Sequence, residues 1–124
     1  MATVKRTERG WPGHFICADR CLFRRNTLLE GEHDRVIVST VGAMLEDHKL
    51  KAIGAGRYYE TVVFGATEMG EYVDANITDQ RYFNSEWSIC ANSPDELPDN
   101  VDNKANEMHE AVVDEFIHRL GAKR

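Results

Sequence analysis

The clearest hydrophobic pattern in the chain lies in residues 103–121. Ala105, Met108, Val112 and Phe116 recur at steps of three and four, and Val113, Ile117 and Leu120 widen the stripe. Glu107, Glu110, Asp114 and Glu115 fall mostly on the other side. That period predicts an amphipathic helix. Asp102 or Asn103 is placed to cap its first turn, His118 and Arg119 suit its negative end, and Gly121 can take the left-handed conformation that stops it. One such helix cannot bury its own stripe, so the strand-rich residues 13–90 must present an apolar surface to it.

Upstream the pattern shortens. Residues 14–18 and 21–29 read as a hairpin turning at Asp19 and Arg20, and residues 30–34 read as a second turn. Residues 35–41 form the most β-branched run and predict a strand near the centre of a sheet. Residues 43–50 fit a short helix or a charged loop, and Gly54-Ala55-Gly56 breaks any regular element. A further hairpin is predicted from residues 57–66 and 72–77. In its first strand Tyr58, Glu60, Val62 and Phe64 share one face, and Tyr59, Thr61, Val63 and Gly65 share the other. Both faces are apolar in part, which suits a strand covered by the helix on one side and by a loop or another chain on the other. A turn at residues 78–80, short strands at 81–83 and 87–90, and a Pro- and Asn-containing linker at 92–100 complete the reading. The expected fold is α+β: a mostly antiparallel sheet of five or six strands with the C-terminal helix packed on one face.

Composition fits this picture. With 124 residues and 42% apolar content the chain supports one core. Residues 1–10 read as a loose polar arm, and 11–121 as a single domain opened by Trp11, Pro12 and Gly13. No run of about 18 apolar residues is present, and the first ten residues lack the apolar segment of a secretory signal, so a cytoplasmic location is expected. Residues 1–67 carry ten Lys and Arg against eight Asp and Glu, whereas residues 68–124 carry five against thirteen. The net charge of −6 is therefore concentrated in the second half. Such a surface disfavours nucleic acid; it suits a basic protein partner, and the competing reading is that the acidity simply keeps a small protein in solution.

Candidate chemistry is sparse: the chain reads as a non-enzymatic binding protein with no cofactor implied, and the alternatives are a protein that sequesters a nucleotide or other small ligand and a small metal-dependent enzyme around His14 and Cys17. His14, Cys17 and Cys21 have the spacing H-x2-C-x3-C and, with Cys90 or His33, offer four zinc ligands, though without the C-x-x-C knuckle of common zinc sites. Small buried hydrophobes are the competing reading of the three cysteines. His109-Glu110 opens like a zinc-protease helix, but Val113 stands where the second histidine belongs. No G-x-S-x-G elbow occurs. Gly54-Ala55-Gly56-Arg57 can offer amides and a guanidinium to an anion, and Arg24, Arg57, Tyr58 and Tyr59 form a candidate nucleotide-binding set, with aromatics to stack on a base and arginines to hold phosphate. For a protein interface the candidates are Glu107, Glu110 and Asp114 with Trp87, and a two-faced strand with an edge near residues 87–90 would also suit a homodimer.

Residues 9–17 and 21–29, the stretch Gly56-Arg57-Tyr58-Tyr59-Glu60-Thr61 and residues 105–113 resemble small proteins of no known activity encoded by tailed bacteriophages and prophages. The resemblance extends over most of the chain and assigns a role to no residue. It implies a context in which small accessory proteins bind and block a host component, such as a CRISPR effector or other defence machinery, or sequester a signal nucleotide.

Overall fold

The computed structural model describes residues 3–9, 20–54, 56–69 and 72–121. The predicted strands 14–18 and the Trp11-Pro12-Gly13 turn lie outside them. The protein is α+β. Among the described residues six antiparallel strands, β1 (Lys5–Arg9), β2 (Cys21–Glu30), β3 (Arg35–Glu46), β4 (Lys49–Lys51), β5 (Arg57–Met69) and β6 (Tyr72–Cys90), are followed by helix α1 (Val101–Gly121). The order across the sheet is β1-β2-β3-β5-β6, with β4 also paired to β3.

The β-branched run puts β3 at the centre, where it pairs with β2 and with β5. Val36 to Val41 are almost fully buried, because this strand is covered on both faces. On one face Leu29, Val36, Val38 and Val63 pack against Val112, Val113 and Phe116 of α1. On the other, Leu28, Ile37, Val41, Val62 and Phe64 are also buried, and this burial is achieved within a single chain. The second apolar face that suggested another copy therefore needs none to be covered.

Three expectations change. Residues 43–50 form neither helix nor loop: β3 runs on to Glu46, turns at Asp47 and His48, and returns as β4. Both turn residues have positive φ, 51° and 64°, as the type I′ turn of a two-residue hairpin requires. Residues 5–9, part of the expected loose arm, pair with β2 as an edge strand. Residues 78–80 and 84–86, expected to interrupt the strands, lie within β6. Phe64 pairs with Gln80 but Ala66 with Ala75, and Glu60 pairs with Ser88 but Val62 with Phe83. The polar residues are thus absorbed as wide bulges while the strand keeps its direction.

α1 begins two residues before its predicted start, with Lys104 N–H donating to the Asn100 carbonyl at 3.1 Å. Asp102, expected near the cap, instead accepts a 2.7 Å hydrogen bond from the Tyr59 hydroxyl.

Candidate functional site

α1 presents two different polar surfaces, one toward the sheet edge and one toward solvent. Glu110 belongs to the first. It accepts from Arg6 of β1 at 2.8 and 2.6 Å and lies 2.9 Å from Arg25 of β2. The hydrogen bond from Arg6, then that from Arg25, pulls its carboxyl down to about 2, and the same pairing holds the Arg6 guanidinium above its usual value. Glu110 therefore clasps the edge of the fold and is not a free contact residue. Glu107 and Asp114 point to solvent, and with Asp95 and Asp99 they have no ion-pair partner among the described residues. Trp87 is half-buried and packs edge-on against Phe116, with ring centroids 6.1 Å apart. Among the described residues the large exposed aromatic is Tyr82, which rests on Phe116 at 5.0 Å and beneath Arg119.

Beneath α1 lies a polar relay that the hydrophobic pattern conceals. His109 is fully buried, with Nε2 2.8 Å from Thr27 Oγ1 and Nδ1 2.7 Å from Thr40 Oγ1. Thr27 also donates to Glu8 Oε2 at 2.6 Å. Burial works against an ionised Glu8, but the hydrogen bonds from Thr27 and Arg25 outweigh it and keep the carboxyl below its usual value. An ionised carboxylate only accepts, so the single hydroxyl hydrogen of Thr27 goes to Glu8. Thr27 must then accept from His109 Nε2–H, which leaves Nδ1 to accept from Thr40, and Thr40 to accept from Thr61 at 2.6 Å. The relay has one direction: Thr61 to Thr40 to His109 to Thr27 to Glu8. Burial, reinforced by the Arg25 charge, pushes the imidazole down to about 4, so it is neutral near pH 7.

The other candidate sets do not converge in this way. Arg57 donates to Glu60 at 3.1 Å. Tyr58 and Tyr59 are both buried in an apolar cluster that includes Ala43 and Ala105, and the Tyr59 hydroxyl is held by Asp102, so neither ring is offered to a base. Burial and Asp102 raise the Tyr59 pKa. Arg24 is exposed on β2. His14 and Cys17 lie outside the described residues. Cys21 is buried with Val41, Met44 and Ile53. Among the described residues no three His, Cys, Asp or Glu side chains gather in a metal-binding group. A polar depression of about 370 Å³ at the β2–β3 turn is open to solvent and flanked by Glu30, Glu32, His33 and Arg35. No helix among the described residues is long and apolar enough to cross a membrane.

No family model, curated protein or solved structure matches the chain. The geometry alone therefore carries the functional reading. Sequence reasoning tested His109 only as a metal ligand. The signal it passed over is position: residue 109 stands four after Ala105 and four before Val113, within the buried stripe.

Proposed function

We propose that this protein is a non-enzymatic binding protein that docks a basic surface of another protein, and that it acts as a phage accessory factor against a host component. The contact surface is the solvent side of the acidic segment that includes Asp95, Asp99, Glu107 and Asp114, flanked by Tyr82 near the C-terminal end of α1. The observation that supports this reading is the state of those four carboxylates. Each is exposed and without an ion-pair partner among the described residues, while Glu110 and Glu115 are taken by arginines. Lys104 is the only Lys or Arg in residues 94–114. Glu107 and Asp114 stand about two turns apart on α1, Asp95 and Asp99 lie in the segment that leads into it, and like charges of this kind are relieved by a cationic partner.

The test is capture of a bacterial protein by the wild type and by the triple variant Asp99→Lys, Glu107→Lys, Asp114→Lys, with Glu110 left in place to hold the fold. The expected result is a partner that is retained by the wild type, is released by added salt and is lost by a folded triple variant. Undiminished capture by the variant would overturn the reading.

A further inference from the structure

His109 has no hydrogen-bonding role left for a second ring proton. Protonation places a hydrogen on Nδ1 and turns that nitrogen from acceptor to donor. Thr40 Oγ1 must then accept there, and its own hydrogen, deprived of Nδ1, has to find another acceptor, on Thr61 Oγ1 or elsewhere. The positive ring also lacks a carboxylate in contact. Glu8 of β1 reaches it only through Thr27 of β2, and Glu110 of α1 is engaged by Arg6 and Arg25. Those two arginines oppose a charge on the ring, while Glu8 and Glu110 favour it. From β3 and β5 the groups that face it are the hydroxyls of Thr40 and Thr61. A buried imidazolium without an ionised partner in contact is relieved by opening to water.

β1 is tied to the same residues. Its side-chain anchors are Glu8 on Thr27, Glu8 on Arg25 at 2.8 Å, and Arg6 on Glu110. If α1 lifts, Glu110 leaves Arg6 and Arg25, and Thr27 loses the hydrogen bond it accepts from His109, so the side chains of β1 keep only the ties that Glu8 makes to Thr27 and Arg25. We propose that the relay through His109 is an acid-operated latch: protonation of the imidazole releases α1 from the sheet and loosens β1 in the same step. Release uncovers Val112, Val113 and Phe116 on the helix and Leu29, Val36, Val38 and Val63 on the sheet.

The test is a nitrogen-15 NMR titration of the full chain from about pH 7.5 down to about pH 3, across the range in which a histidine with a lowered pKa takes up its proton. It follows the His109 ring nitrogens, the amides of Val112 and Val113, and the amides of Arg6, Thr7 and Glu8. The expected start is the Nε2–H tautomer, followed by one shared midpoint for all three sets. In His109→Gln, whose amide donates to Thr27 and accepts from Thr40 without titrating, α1 should hold to lower pH by about one unit or more. The latch is overturned if His109 titrates while the α1 amides keep their folded positions, or if α1 leaves before the ring protonates. Separate midpoints for β1 and α1 overturn the coupling, and an unchanged midpoint in the glutamine variant overturns the role of His109. Should that variant not fold at neutral pH, the wild-type titration decides alone.

Discussion

The ring of Tyr59 occupies the space in which a side chain on Gly42 would stand. The two are cross-strand partners in β3 and β5, and a Cβ at position 42 would overlap the ring carbons Cγ and Cδ2. The same tyrosine reaches Asp102 on the first turn of α1, so this pair sets the height of the helix above the sheet. Gly42→Ala should cost about 2–3 kcal/mol by overpacking, and Tyr59→Phe about 1 kcal/mol by loss of one hydrogen bond. Urea unfolding measures both, and a Gly42→Ala variant as stable as wild type would show that the ring is free to move away.

Much of this architecture is legible in the chain, and the failures have physical causes. β3 and α1 declare themselves because burial on two faces demands β-branched residues and burial on one stripe demands the helical period. The segment from Ala43 to Leu50 hides its hairpin because Asp47 and His48 supply positive φ without the glycine that usually marks such a turn. The three paired segments of β6 are visible in sequence, but the polar residues between them look the same whether they turn or bulge. His109 escapes notice because a histidine in a helix reads as polar, and the threonines that satisfy it are distant in sequence.

The imidazole should make stability depend on pH. Its pKa is about 6.5 in the unfolded chain and is lowered to about 4 by burial and Arg25, so between those values the unfolded state binds more protons. Stability is full above pH 6.5 and falls as pH drops toward 4, by about 3 kcal/mol. Denaturant midpoints taken at steps through this window should show the loss in wild type and a much flatter profile in His109→Gln. Glu110 titrates lower, near 2, and contributes its own loss only below the usual carboxylate range.

The two hydroxyls on the Nδ1 side of the ring make a further forecast. Thr40→Val removes the donor to Nδ1 and strands an acceptor in the interior, at a cost of about 1–3 kcal/mol. Thr61→Val leaves the ring contacts whole and should cost less. Because Thr40 and Thr61 share one hydrogen bond, a double-mutant cycle should be non-additive by about 0.5 kcal/mol or more, and strict additivity would remove Thr61 from the relay.

Two of the acidic positions on α1, Glu110 and Glu107, should separate cleanly. Glu110→Gln weakens the ties to Arg6 and Arg25 at a half-exposed site, for roughly 1 kcal/mol once solvent screening is allowed for. Glu107→Gln, on the solvent side, should stay within about 0.5 kcal/mol of wild type. Thermal melts compare them directly, and equal losses would mean that the clasp on β1 adds nothing.

Placing the cover of the sheet after the strands it covers has a consequence for synthesis. A ribosome delivers Leu29, Val36, Val38 and Val63 well before it delivers Val112, Val113 and Phe116. Until then the nascent sheet has an apolar face without its lid, and the threonines along that face lack the histidine they will hold. Chain elongation therefore fixes a waiting time during which chaperones or neighbouring nascent chains compete for the site that α1 finally closes.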